Sequence, residues 1–283
     1  MPFTLSHAAA ALPFKRYCPQ RLDMLALMVG TITPDLAYYW RDFNLAAKAH
    51  TFGGSLVICL PLGLAAFYLI RAFSKDIGRV LTSPFDKLFE SLKEAPSKPI
   101  TIIASVLVGA WTHVIWDSFT HRNGSVVTRV PWMSEDVLGL IEIRPGPVFG
   151  FGNGIEIPFY SLLQHLSSVF GLTVLAVAAY RYCQQQQSPE QVQGQGHGQD
   201  HRRIARIWGS CILLASIFSA GRLLQNLPAS GAGMHEALRI LVFHGILDLV
   251  GGTVLLLAMA VVILSLNERF CGSEKVVYNE NRR

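Results

Sequence analysis

The chain has 283 residues, of which 51% are hydrophobic and only 15% charged. Soluble domains carry about 25% charged residues, so this balance, with several long apolar runs, excludes an ordinary soluble fold and points to an integral membrane protein. The formal charge of +5 comes without a dense Lys/Arg patch interleaved with aromatics, which argues against nucleic-acid binding and for basic loops beside a membrane.

The N-terminal stretch carries His7, and Ser6 is placed to cap a short helix over the alanines that Pro13 would end. Residues 22–32 are apolar but interrupted by Asp23 and halted at Thr33-Pro34-Asp35. A span needs roughly 20 apolar residues, so this run reads as a short buried or interfacial helix. Tyr38, Tyr39 and Trp40 read as an interfacial aromatic belt, and His50 falls just before the first clear span, residues 54–73. Ser83-Pro84-Phe85-Asp86 opens an amphipathic helix with Phe85, Leu88, Phe89 and Leu92 on one face, lying on the membrane surface or packed on protein.

A second span covers residues 100–119. The loop that follows, residues 122–158, is rich in Gly and Pro, and its P-G-P-V-F-G-F-G-N-G run is turn chemistry rather than a phosphate cradle. A third span covers 159–180. The Gln/Gly-rich residues 184–200 have the composition of a disordered linker. Spans four and five cover residues 204–220 and 238–266. The expected fold is all-α, a membrane bundle of about five transmembrane helices plus short N-terminal helices. Its segments are an N-terminal helical part (1–53), a membrane core (54–181), the linker (182–203), the C-terminal spans (204–267) and a polar tail (268–283).

The stretch W-T-H-V-I-W-D-S-F-T-H from Trp111 to His121 carries the chemistry. His113, Asp117 and His121 recur at four-residue steps, which on a helix places them on one stripe. Ionisable groups in an apolar span are costly and need a reason. Letting five spans alternate sides puts the basic connectors 71–98 and 180–206 and the C-terminal tail on one face, which the positive-inside tendency makes cytoplasmic. His50, the His113 stretch, His165 and His244 then gather at the opposite end of the bundle.

The metal-ligand candidates are His7, Asp35, His50, His113 and Asp117, with His121 beside them. His165, near Gln164 and Ser167, reads as helix-to-helix glue. His244 and Asp248 form a second four-spaced pair. The five cysteines (Cys18, Cys59, Cys183, Cys211 and Cys271) form no C-x-x-C motif, and Cys59 and Cys211 read as small hydrophobes. Imidazole and carboxylate donors without thiolate suit zinc, and also manganese or iron. Six candidates exceed the three or so ligands of a catalytic zinc, so either two ions bind or some residues support the ligands. In hydrolysis, Asp35 or His121 is placed to take the proton from water activated by the ion.

The M-P-F-T-L-S-H start, G-T-I-T-P-D-L-A-Y, A-H-T-F-G-G-S, T-H-V-I-W-D-S-F-T-H and I-P-F-Y-S-L-L-Q-H-L-S-S-V-F-G together resemble a bacterial family of integral membrane proteins that carries a domain of unknown function. The ordered series His, Asp, His, then His-x-x-x-Asp also resembles membrane-bound metal-dependent hydrolases of the bacterial inner membrane and, distantly, the zinc-dependent phospholipase C group. By that resemblance His7, Asp35, His50, His113 and Asp117 map onto metal-ligand positions. No second His-x-x-x-Glu follows His121 in the expected place, a departure that favours one or two ions over three.

Three functions remain open from the sequence. The first is a membrane-embedded, metal-dependent hydrolase acting on a phosphoester or lipid-like substrate at the non-cytoplasmic surface, with membrane lipids as its partners. The second is a proton-coupled transporter using His113, Asp117, His244 and Asp248 as a relay. The third is a structural or assembly protein whose polar residues only pair helices.

Overall fold

A computed structural model gives the three-dimensional structure and describes residues 4–18, 20–82, 84–92, 97–135, 137, 158–186, 201–225, 245 and 248–265. The Gly/Pro-rich run after Arg144, the Gln/Gly-rich run after Gln186, His244, the first part of the expected fifth span and the polar tail lie outside the described residues. The regular secondary structure of the described residues is all helical, with no strand.

A 3-10 helix, Thr4–Ala11, leads into α1 (Leu12–Tyr17). Pro13 sits in the first turn of α1, where a missing N–H breaks no helical bond. It therefore opens a helix rather than ending one, and no side chain caps that helix. α2 (Met24–Ile32) follows. Asp23, which seemed to interrupt the apolar run, is its N-cap and accepts from Ala26 N at 3.0 Å. A 3-10 turn (Thr33–Asp35) then leads to α3 (Leu36–Tyr39) and α4 (Phe43–Ala49), the latter capped by Asp42.

Thr51 caps α5 (Phe52–Gly54), which continues through a π turn (Ser55–Cys59) into α6 (Leu60–Ala72). α7 (Ser74–Val80) and α8 (Phe85–Ser91) precede α9 (Pro99–Thr120), a 3-10 turn (Pro131–Ser134), α10 (Phe159–Gln186), α11 (His201–Gln225) and α12 (Asp248–Ser265). Five helical stretches are long and apolar enough to cross a membrane: Phe52–Ala72, Pro99–Thr120, Phe159–Gln185, Ile204–Arg222 and Asp248–Ser265. These are the five expected spans, and the chain is a multi-pass membrane protein. Their outer faces carry exposed apolar side chains such as Val57, Val169, Phe170 and Leu255, as lipid contact requires.

The chain divides into two compact units. The first comprises Met1–Ala37, Asp42–Phe67 and Ser97–Gln185. Its core packs α2 against α9, with Ala26, Phe67, Ile102 and Val106 buried together. The approach is close. A Cβ added at Gly109 would lie 2.9 Å from Thr31 N and closer still to the Leu27 carbonyl oxygen, and one at Gly30 would meet the Val106 backbone. Small residues at helix crossings are how membrane helices gain packing where lipid removes the hydrophobic drive. Asp23 ties the far end of this pair, accepting from Ser97 Oγ and donating its N–H to Ser105 Oγ, both at 2.8 Å.

The second unit comprises Tyr38–Arg41, Tyr68–Pro96 and Gln186–Arg283. Within it α8 packs on α7, and Trp208 Nε1 donates to the Val80 carbonyl at 2.6 Å. Arg41, in the left-handed region at φ 59°, makes a two-pronged bond to Asp248 at 2.8 and 2.9 Å.

Candidate metal centre

The centre is assembled inside the first unit from four short stretches. α9 supplies His113 and Asp117 one turn apart, both buried on the face that meets α2. The C-terminal end of α2 runs into the Thr33–Asp35 turn, where Pro34 stops the α-helix and places Asp35, 2% exposed, against them. α4 ends at His50, whose N–H still bonds Ala46 O. The Thr4–Ala11 helix delivers Thr4 and His7, three residues apart on a helix of period three and hence on one side.

Both central histidines are oriented by backbone carbonyls. His113 Nδ1 donates to Thr31 O at 2.7 Å, and His50 Nδ1 donates to Ala46 O at 2.8 Å. Each ring therefore presents Nε2 inward. His113 Nε2 lies 3.2 Å from Asp117 Oδ2 and 3.5 Å from Asp35 Oδ1. His50 Nε2 lies 3.2 Å from Asp117 Oδ2 and 3.4 Å from Asp35 Oδ1. One donor atom from each of Asp35, His50, His113 and Asp117 falls within 4.8 Å of all the others.

That arrangement can hold a divalent cation. Four ligands at roughly 2.0–2.1 Å from a tetrahedral ion stand about 3.3–3.4 Å apart, which is the spacing of the four His–Asp pairs. Anchoring of each Nδ1–H on a carbonyl is the usual support of a metal-bound imidazole. Asp35 is steadied in the same way: its Oδ2 accepts from Thr4 Oγ1 at 2.7 Å, leaving Oδ1 for the centre.

His7 and His121 flank this group. His7 stacks on His113 with ring centres 3.8 Å apart. Its Nε2 is 3.6 Å from Asp117 Oδ1, and neither of these buried atoms has a hydrogen-bond partner. His121, in the C-cap position of α9, brings Nδ1 to 3.4 Å from the same Asp117 Oδ1. His165 stays outside, exposed, with Nδ1 donating to Ser161 O. Asp248 is held by Arg41.

The electrostatics match a site built for positive charge. Burial lowers the His7 pKa to about 3, with His113 beside it adding to the effect. Burial would raise Asp35, but His113 and His50 hold its carboxyl well below the ordinary range. Burial also pulls His50 down, yet its bonds to Asp117 and Asp35 carry it up to about 9. Burial lowers His121.

The sequence did not single out Thr4, the Thr31 and Ala46 carbonyls, or Gln164 as parts of this centre. Thr4 left a signal in its three-residue offset from His7. The carbonyls left none, because backbone acceptors carry no residue type.

The chain belongs to the family defined by a domain of unknown function, DUF4184, whose profile matches residues 1–262. Neither a curated protein nor a solved structure matches it.

Proposed function

We propose that this protein is a membrane-embedded, metal-dependent hydrolase with Asp35, His50, His113 and Asp117 as ion ligands. The observation that carries the reading is the convergence of Asp35, His50, His113 and Asp117, one donor atom from each within 4.8 Å of all the others, with each imidazole anchored through Nδ1 on a carbonyl and Asp35 on Thr4. Two imidazole and two carboxylate donors without cysteine suit zinc first, then manganese or iron. Such an ion would polarise a phosphoryl or carbonyl oxygen and acidify water near neutral pH. Asp35 serves as a ligand, since both its oxygens are engaged. His121, its side chain 30% exposed, is the group with access to carry a proton between site and solvent.

Depth supports a lipid-like substrate. The 22 residues of α9 extend about 33 Å, close to the roughly 30 Å of a hydrocarbon layer. His113 and Asp117 then lie about 10 and 5 Å inside the end of the helix, in the outer part of the hydrocarbon layer, which a lipid-like substrate can reach from within the membrane. The basic connectors favour the non-cytoplasmic side of a bacterial inner membrane for this end, with the C-terminus cytoplasmic.

A second ion is favoured by one specific observation, the unpartnered pair His7 Nε2 and Asp117 Oδ1. His7 and Asp117 would hold it, and it would supply further Lewis-acid charge beside the first ion. The test is metal content of the detergent-purified protein, wild type beside the His113→Ala/Asp117→Ala double variant, followed by a phosphoester screen. One or two equivalents lost in the variant support the reading. No metal in the wild type after zinc loading refutes it.

A further inference from the structure

α10 meets the rest of the first unit along one narrow face. Gln164, Ser167 and Gly171 recur at the i, i+3, i+7 spacing of a helix stripe. Ser167 Oγ accepts from Trp116 Nε1 at 3.2 Å, and a Cβ at Gly171 would lie 2.7 Å from Ser6 O. Around this stripe the helix is apolar and exposed at Leu166, Val169 and Phe170. Gln164 is the one residue of the stripe that reaches the metal centre. It is buried, and its Nε2 lies 3.4 Å from His121 Nε2.

The neighbours of His121 favour hydrogen on Nδ1. The other nitrogen, Nδ1, faces Thr120 Oγ1 at 3.3 Å and Asp117 Oδ1 at 3.4 Å. The Thr120 hydroxyl already donates to Trp116 O, so both atoms facing Nδ1 are acceptors. The atom facing Nε2 is an amide donor.

We propose that Gln164 is a positioning residue of the centre: its amide N–H donates to His121 Nε2 and so keeps the His121 hydrogen on Nδ1, turned toward Asp117. The inference rests on the metal-centre reading and deepens it. With no second ion bound, His121 Nδ1–H then faces Asp117 Oδ1 at 3.4 Å, while Asp117 Oδ2 faces His50 and His113. A span that is otherwise lipid-facing thereby fixes the state of a side chain in the site. Gln164 touches no ion ligand itself and acts through His121.

The experiment labels the histidines with 15N and reads the ring tautomers by NMR at pH 8, assigning His121 from a His121→Gln sample. Zinc affinity is measured on the same preparations. In the wild type, His121 is expected as the Nδ1–H form. Gln164→Glu offers only acceptors to Nε2 and moves the hydrogen there. Gln164→Leu populates both forms. Both variants weaken zinc binding about tenfold or more, the usual effect of removing support behind a ligand, while keeping the wild-type helical content. An Nε2–H His121 in the wild type overturns the proposal, as does a Gln164→Glu protein with the tautomer unchanged. A wild type that binds no zinc yet shows the Glu-induced switch supports the positioning role and removes the ion reading beneath it.

Discussion

Gly109→Ala tests the link from helix packing to the metal centre with a single methyl group. The new Cβ would sit 2.9 Å from Thr31 N, 3.0 Å from Gly30 C and closer to Leu27 O, where ordinary contact begins at 3.4 Å. α2 and α9 must therefore part by roughly 0.5–1 Å, since backbone on both sides cannot yield as a flexible side chain would. Thr31 O, the acceptor for His113 Nδ1 at 2.7 Å, lies on the displaced segment. Moving it by that amount stretches the bond toward about 3.5 Å, the limit of a hydrogen bond. The overpacking is expected to destabilise by about 1–3 kcal/mol, and the lost anchor to weaken zinc binding by about 10–100-fold. Thermal unfolding in detergent and a zinc titration read the two effects separately. Gly53→Ala, where an added Cβ meets nothing within 4 Å, is the control and should change neither. If Gly109→Ala keeps wild-type zinc affinity, His113 does not depend on the Thr31 carbonyl, and the argument from packing to site fails.

Metal binding should be proton-coupled. His50, held at about 9 by Asp117 and Asp35 against burial, must give up a proton to ligate, so zinc affinity should rise by about tenfold per pH unit up to that pH; a flat profile between pH 6 and 8.5 would remove His50 from the ligand set. In the ion-free protein the sign runs the other way. A folded pKa above the unfolded 6.5 stabilises fully below 6.5 and loses that contribution as pH rises through about 9, so the metal-free melting temperature should fall from pH 7 to 9.5. Chelation at neutral pH should lower the melting temperature, by an amount equivalent to about 4 kcal/mol if free ion had stood at a thousand times Kd, and the His113→Ala/Asp117→Ala protein should ignore the chelator. Asp248→Asn should destabilise the second unit by about 1.5–3 kcal/mol through loss of the two-pronged Arg41 bond and leave zinc affinity unchanged; a proteoliposome proton flux abolished by that variant would instead revive the relay.

Much of this architecture was legible because membrane spans declare themselves by length and apolarity alone. The run at residues 22–32 is too short to cross, and it forms the nine-residue α2. What could not be read was why Asp23 stood there, since capping depends on where the helix begins, and a carboxylate beside apolar residues looks like an interruption until its N–H partner is placed. Pro13 misled for the related reason that proline both ends and opens helices. For the site, the four-residue steps of His113, Asp117 and His121 and the topology together placed His50 at the same end of the bundle. They could not rank the residues. Whether His7 is a ligand, a stacked neighbour or the support of a second ion depends on ring orientations that only the folded contacts fix.

Helix pairing and ion binding make opposite demands on the same residues, and the hydrogen-bond pattern separates them. Side chains that serve only to join helices satisfy one another, donor to acceptor, across the interface. Here the supporting donors are engaged outside the cluster. His113 and His50 direct their Nδ1–H groups to carbonyls of α2 and α4, and Thr4 occupies one oxygen of Asp35. The atoms left facing one another are the two imidazole Nε2 atoms and the carboxylate oxygens of Asp35 and Asp117, with His–Asp separations of 3.2–3.5 Å, buried where water screens them poorly. The two buried carboxylates need positive charge beside them. Without an ion, a proton on His50, held there by Asp117 and Asp35, supplies part of that charge. A metal ion replaces that proton with two charges at the centre of the same atoms. Pure pairing therefore predicts a protein whose stability peaks when the cluster is protonated and whose melting temperature no cation raises. A metal centre predicts that zinc restores, above pH 8, the stability that deprotonation of His50 removes.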